Sequence, residues 1–207
     1  RNFSVPLNVQ NIADVMDDLL EGYRPPGEGV DESESVDVGD GSEGLDGLLP
    51  LAKLPPILSI DHEGGRVQRL KAPLTVWPPM AVLGAHPPRM AEEVGRAMAS
   101  ELQALGFNLN FAPVLDVHTN AANPVIGDRA FGVTADGVVE RALAFLRGLE
   151  ASGCIRGCAK HFPGHGDTES DSHHALPVVR HGRDRLQSVE LAPFAAAIEA
   201  ANAGGGL

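Results

Sequence analysis

The stretch FNLNFAPVLDVH, residues 107–118, decides the fold class of this 207-residue chain. Its first nine residues are mostly apolar, and the run ends abruptly at the acidic Asp116. A short continuous apolar run is typical of a strand that is buried on both faces, as in a parallel sheet. The stretch therefore predicts an inner strand whose C-terminal end carries polar side chains.

Two similar apolar runs lie on either side of this one. Residues 57–60 lead into Asp61-His62-Glu63, and residues 155–159 lead into Lys160-His161. Apolar residues at helical spacing occupy four further stretches, over 9–19, 90–105, 138–149 and 191–201. This alternation predicts an α/β fold, either a doubly wound sheet or a (β/α)8 barrel. In both folds functional residues lie at the C-terminal ends of strands, so the three polar ends are expected to form one site.

Composition argues against several function classes. The chain has 28 acidic and 16 basic residues, a net charge of −12, and no cluster of Lys and Arg, so no nucleic-acid partner is expected. No apolar run approaches the roughly 18 residues of a membrane helix, so no membrane segment is expected in this chain. Cys154 and Cys158 are expected to be buried free thiols, because a single C-x3-C pair is weak evidence for a metal site.

The acidic residues are concentrated in one segment. Residues 25–50 contain eight acids and six glycines but no Lys or Arg. Such a segment buries too little apolar surface to offset the entropy lost on ordering, so we expect a flexible surface insertion in a domain that covers residues 1–207. A calcium loop is the alternative, but the acids lack the D-x-D-x-D-G spacing.

The segment KHFPGHGDTESDSHH, residues 160–174, is the richest in titratable groups, with four histidines and three carboxylates. Histidine suits general acid/base catalysis because its unperturbed pKa is about 6.5. Asp171 lies two positions before His173, so in an extended loop the carboxylate would orient the imidazole. Zinc held by His161, His165, Asp167 and His173 is the alternative, although their spacing matches no helical site.

Two other segments carry candidate binding residues. Asp61 and Arg69 are placed to bracket a polyhydroxylated ligand through charge-assisted hydrogen bonds. For the neighbouring Glu63 and Arg66, a salt bridge is as good an interpretation as contact with a ligand. Arg129 lies on a loop constrained by proline and glycine.

Four segments together resemble glycoside hydrolase family 3, and within it the β-N-acetylhexosaminidases of the peptidoglycan-recycling type. These are residues 60–69, 110–116, 126–132 and 160–173. The run Lys-His-Phe-Pro-Gly-His-Gly-Asp-Thr followed by Asp-Ser-His is the most specific of them. The resemblance extends over most of residues 1–20 and 51–207, and it omits the acidic segment.

The resemblance implies a (β/α)8 barrel and retaining hydrolysis of terminal β-linked N-acetylglucosamine, with an amino-sugar glycoside or muropeptide as substrate. It implies that His173 is the general acid/base, that Asp171 is its partner, and that no metal or organic cofactor is needed. The implied substrate-binding residues are Asp61, Arg69, Arg129, Lys160, His161 and, on the floor of the pocket, Asp116.

The chain is also expected to be a partial barrel, with roughly strands 2 to 4 and their helices. The family's nucleophile is an aspartate on a later strand, so residues 1–207 alone are expected to be inactive. The thiols and the resemblance favour the cytoplasm. Two alternatives stay open at this point: another family 3 glycosidase, such as a β-glucosidase or β-xylosidase, and a noncatalytic sugar-binding remnant.

Overall fold

The computed structural model describes residues 56–168, 179 and 181–203. The chain divides into two units, Arg1–Ile57 and Leu58–Leu207, and all the elements below belong to the second. The expected helix over 9–19 and the acidic segment over 25–50 lie outside the described residues, as do Asp171 and His173.

The described residues form short strands and longer helices in alternation. The strands are β1 (Ser59–Ile60), β2 (His62–Gly64), β3 (Val67–Gln68), β4 (Leu109–Asn110) and β5 (Arg156–Gly157). The helices are α1 (Met80–Gly84), α2 (Pro88–Ala104), α3 (Ala135–Glu150), α4 (Arg183–Arg185) and α5 (Ala192–Ala203). A 3-10 turn covers Gly127–Arg129, and a π-helical turn covers Leu186–Glu190.

Strands β1, β4 and β5 form a parallel sheet with β4 in the middle, so that Ile60 pairs with Asn110 and Asn110 with Gly157. The three predicted strands are confirmed, but each is shorter than its apolar run. Regular pairing ends after β4, and beyond Pro113, which has no N–H to donate, a bridge joins Val114 to Lys160. This bridge holds Lys160 beside the end of the central strand.

Helices α2 and α3 confirm the predicted periodic segments and pack against each other. Met98 and Leu102 of α2 and Phe145 of α3 are fully buried, as their helical spacing predicts. The two backbones approach so closely that a Cβ atom on Gly148 would lie 2.0 Å from the carbonyl oxygen of Glu92. Close packing of these helices therefore depends on a position without a side chain.

Asn110 connects the central strand to the segment that follows β1. Its side-chain Oδ1 accepts a hydrogen bond from the backbone N–H of His62 at 3.1 Å, and its Nδ2 donates to the His62 carbonyl at 2.9 Å. All three residues of β2 are buried, and β2 pairs with β3 as an antiparallel hairpin. The hairpin thus fixes the backbone of Glu63 directly beside the C-terminal edge of the parallel sheet.

The cysteines are free thiols, but the expectation that both are buried is wrong. Cys154 is exposed because it follows the turn that ends α3, whereas Cys158 is half-buried near the edge of the sheet. Among the described residues, no helix has the length and apolar character needed to cross a bilayer.

Candidate active site

Four charged side chains from three separate segments meet at the C-terminal edge of the sheet. The Lys160 ammonium lies 2.5 Å from Asp61 Oδ1 and 2.5 Å from Glu63 Oε1. Arg129 donates two hydrogen bonds to Glu63, from Nε to Oε2 and from Nη2 to Oε1, each of 2.8 Å. Paired N–H donors on a carboxylate fix both position and orientation, so the guanidinium plane of Arg129 is held in one geometry.

Arg129 also contacts His161, and this contact assigns the tautomer of the imidazole. Arg129 Nη2 lies 3.0 Å from His161 Nε2. A guanidinium nitrogen can only donate, so Nε2 accepts and Nδ1 carries the proton. His161 Nδ1 then donates to Asp116 Oδ2 at 2.6 Å. The ring of His161 is therefore held from both sides.

Asp116 has no exposed surface and cannot contact a ligand directly. Besides the His161 ring, it accepts hydrogen bonds from the backbone N–H groups of His161 at 3.3 Å and His165 at 2.6 Å. The resemblance placed Asp116 on the floor of the pocket. The structure places it one layer below, where it orients the chain of residues 161–165.

The charge of Arg129 is maintained by its surroundings. Burial works against the charged form, but the hydrogen bond and charge of Glu63, with the charges of Asp116 and Asp61, raise the pKa of the Arg129 guanidinium above its usual value. Arg129 is thus a permanent, oriented hydrogen-bond donor at the edge of the sheet.

The loop that carries Arg129 is fixed by two neighbouring side chains. Arg66 donates to the carbonyl oxygens of Val125 and Ile126 at 2.5 and 2.9 Å. Asn123 accepts from the backbone N–H groups of Val125 and Ile126 and donates to the His165 carbonyl at 2.8 Å. Arg66 also lies 3.2 Å from Asp128 Oδ1, which confirms the salt bridge considered for it from the sequence.

These residues surround an open pocket of about 420 Å³, which lies within the range of small-molecule sites. Its lining residues combine charged, aromatic and thiol groups: Asp61, Phe111, Val125, Arg129, Cys158, Lys160, His161 and His165. Fixed N–H donors beside a carboxylate acceptor match the paired donor and acceptor character of sugar hydroxyls. The pocket is suited to hold a small polyhydroxylated ligand.

Arg69 does not line this pocket. Its Nη2 lies 3.5 Å from Asp61 Oδ2, and 64% of its side chain is exposed. The sequence places Arg69 correctly beside Asp61, but on the outer side of that carboxylate.

The described members of the alternative zinc set have other partners. His161 is bound to Arg129 and Asp116, and Asp167 lies 2.5 Å from His181 Nε2 and accepts from Thr119 at 2.6 Å. Although burial raises the pKa of Asp167, its hydrogen bonds with Thr119 and His181 outweigh that effect and lower it. Within the described part of the chain, no three His, Cys, Asp or Glu side chains are grouped to hold a metal ion, and His173 lies outside that part.

Glu63 is the residue whose importance sequence reasoning underestimated. Glu63 is 1% exposed and forms salt bridges with both Arg129 and Lys160. The residues next to it in the sequence do not indicate whether its salt bridge lies at the surface or in the centre of the site. The available signal was its position directly after a strand end, in the same run as Asp61.

Comparison with known proteins places the chain among glycoside hydrolases. Residues 46–204 match the family model described as Glycosyl hydrolase family 3 N terminal domain. The beta-hexosaminidase of Thiobacillus denitrificans is 43% identical over 157 residues, which are 72% of this chain and 43% of that protein.

Solved structures agree with the sequence comparison. The glycoside hydrolase family 3 beta-N-acetylglucosaminidase of Paenibacillus sp. FPU-7 superposes with a TM-score of 0.68 at 49% identity, over 71% of this chain and 28% of that chain. Native NagZ from Neisseria gonorrhoeae superposes with a TM-score of 0.63 at 44% identity, over 68% of this chain and 42% of that chain. The chain spans less than half the length of each of these relatives. The sheet and its helices are thus part of a (β/α) barrel, as predicted, and the chain belongs to glycosyl hydrolase family 3 through its N-terminal domain.

Proposed function

We propose that this chain forms part of a retaining β-N-acetylhexosaminidase that removes terminal β-linked N-acetylglucosamine. The observation that carries the proposal is the ionic network of Asp61, Lys160, Glu63 and Arg129 around a sugar-sized pocket. The relatives support it, since those named above are a beta-hexosaminidase and a beta-N-acetylglucosaminidase.

In this proposal the pocket holds the sugar whose glycosidic bond is broken. Lys160 and Arg129 donate hydrogen bonds to its hydroxyl groups, and Asp61, whose side chain is 35% exposed, accepts from them. Because the two cations are already fixed by Glu63, little orientational freedom is lost when the sugar binds. Phe111 supplies an apolar wall against a face of the ring.

The general acid/base is proposed to be His173, with Asp171 as the carboxylate that orients it. His161 is poorly suited to the role because both of its ring nitrogens are already engaged, Nε2 with Arg129 and Nδ1 with Asp116. In the proposed reaction the imidazolium of His173 gives its proton to the departing glycosidic oxygen. As the glycosidic bond breaks, the nucleophilic aspartate that the family resemblance implies bonds to the anomeric carbon. Water then attacks that carbon, the bond to the aspartate breaks, and the neutral imidazole takes a proton from the water, which restores the starting state.

A finer assignment extends the proposal to the substrate and its compartment. The resemblance to the peptidoglycan-recycling type favours a muropeptide as the natural substrate and the cytoplasm as the place of action. A general acid/base that is an imidazole and not a second carboxylate also suits an anionic leaving sugar, because the imidazole places no negative charge beside that sugar.

Hydrolysis of two chromogenic substrates tests the proposal on the complete product of the gene that encodes this chain. We expect release of 4-nitrophenol from the N-acetyl-β-glucosaminide and little from the β-glucoside. Preference for the glucoside would instead indicate another family 3 glycosidase.

The role of His173 is tested by replacing it and its neighbour separately. His173→Ala is expected to lower kcat by 10²-fold or more, in the range attributed to a general acid or base. His174→Ala is the matched control, since it removes an adjacent imidazole with no proposed role. Equal losses in the two variants would count against His173 as the proton donor.

A further inference from the structure

We propose that Glu63 is a positioning residue that also makes the site selective for uncharged sugars over anionic ones. This inference rests on the function proposed above and adds a reason for the choice of substrate charge. It concerns a residue that the sugar cannot touch, because only 1% of the Glu63 side chain is exposed.

Glu63 holds the hydrogen-bond donors of the pocket in place. The two Glu63 carboxylate oxygens receive Arg129 Nε, Arg129 Nη2 and Lys160 Nζ, so both cations that reach the pocket depend on one buried group. Glu63 itself is held by the buried hairpin strand β2. A displacement of this carboxylate would therefore move both donors together.

The described residues around the pocket carry equal numbers of positive and negative charges. Three carboxylates lie there, those of Asp61, Glu63 and Asp116, and all of them are paired. Three cations face them, those of Lys160, Arg129 and Arg69. With the uncharged His161 ring assigned above, the formal charges cancel.

A balanced site offers an uncharged sugar its fixed donors without attracting anions. A carboxylate or phosphate on the sugar would lose hydration on entry and gain no free cation in return. If the Glu63 charge is removed, the described residues around the pocket carry one more positive charge than negative. The affinity for an anionic ligand then rises, whereas the affinity for a neutral one does not.

The test compares two ligands of the same shape. Binding of N-acetylglucosamine and of its uronic acid, in which the C6 hydroxymethyl group is a carboxylate, is measured by calorimetry or by NMR titration at fixed ionic strength. The protein is the complete gene product as wild type, Glu63→Gln and Glu63→Asp. Glu140→Gln, an exposed residue of α3, is the matched control for replacing a carboxylate by an amide.

We expect the wild type to prefer N-acetylglucosamine, and Glu63→Gln to move the ratio of the two affinities roughly tenfold toward the acid. Glu63→Asp keeps the charge, so we expect it to lower the affinity for both ligands without changing the ratio of the two affinities. Loosened packing alone would reduce both affinities together in either variant. A change in the ratio of the two affinities therefore indicates an effect of the Glu63 charge and not of altered packing.

Several results would overturn the inference: an unchanged ratio in Glu63→Gln, an equal shift in Glu63→Asp, or binding of neither sugar. If Glu63→Gln fails to fold, the wild type and Glu63→Asp are compared instead, and either a wild-type preference for the acid or a changed ratio in Glu63→Asp contradicts the inference. Failure of the proposed function looks different: N-acetylglucosamine binds with the predicted preference, but the aryl N-acetyl-β-glucosaminide is not hydrolysed.

Discussion

His161 Nδ1 lies 2.6 Å from Oδ2 of Asp116, a carboxylate with no exposed surface that is 45 residues away in the sequence. The other Asp116 oxygen accepts from the His165 backbone N–H, also at 2.6 Å. One buried charge therefore fixes both the backbone of the 161–165 segment and the orientation of a pocket-lining ring.

This relationship predicts a large effect of Asp116→Asn. An asparagine has one acceptor oxygen, so its NH2 group would face an N–H donor and leave buried groups unpaired. We expect the free energy of unfolding to fall by about 2–3 kcal/mol and N-acetylglucosamine affinity to fall about tenfold.

Urea unfolding and sugar titration measure the two effects of Asp116→Asn. Asp184→Asn, at an exposed position, should change the free energy of unfolding by less than about 0.5 kcal/mol. Equal stability of the two variants would show that the buried hydrogen bonds of Asp116 contribute little.

The helix contact at Gly148 predicts that a single added methyl group is destabilising. Alanine gains about 1 kcal/mol over glycine in helix propensity, but its Cβ would lie 2.0 Å from the Glu92 carbonyl oxygen. Relief of that overlap requires the two backbones to separate, which costs about 1–3 kcal/mol or more.

Gly148→Ala should therefore lower the midpoint of thermal unfolding. Gly132→Ala is the control, because a Cβ there meets no atom within 4 Å, and its midpoint should be unchanged or slightly higher. A stabilised Gly148→Ala would mean that α2 and α3 pack less closely than described.

His62 predicts a loss of stability in mild acid. Burial, opposed by the charges of Glu101 and Asp61, lowers the pKa of His62 from 6.5 to about 4. Between pH 6.5 and 4 the His62 side chain is protonated in the unfolded chain but not in the folded chain. The free energy of unfolding therefore decreases as the pH falls from 6.5 toward 4.

His62→Leu should reduce this slope in urea unfolding measured across that pH window, because it removes the titrating group while nearly preserving volume. His86→Leu, at an exposed histidine, should leave the slope as in the wild type. Parallel slopes in the wild type and His62→Leu would contradict the assignment.

Helices α2, α3 and α5 and the edge of the sheet that carries the site were predictable from the sequence because their signals are local. Helix α3 covers Ala135–Glu150, and its apolar stripe over 138–149 predicted it to within a few residues. The strand from the run 107–115 was predicted at the right place but too long. Regular pairing stops at Asn110, and Pro113 further along the run has no N–H to donate.

The pairing within the site was not predictable in the same way. Glu63 and Arg129 are 66 residues apart, and only the tertiary fold brings them within 2.8 Å. The sequence showed that Asp61, Lys160 and Arg129 are of the right chemical type and placed Asp61 and Lys160 at strand ends. It could not show that a buried glutamate joins Arg129 to Lys160.

We expect a sugar to occupy the pocket bounded by Asp61, Arg129, Lys160 and His161. The chain provides a direct probe, because the half-buried Cys158 lines this pocket, whereas the exposed Cys154 does not. Alkylation of each thiol by iodoacetamide is followed by mass spectrometry with and without N-acetylglucosamine. We expect the sugar to slow modification of Cys158 severalfold and to leave Cys154 unchanged, whereas unchanged rates at both thiols under saturating sugar would contradict the claim.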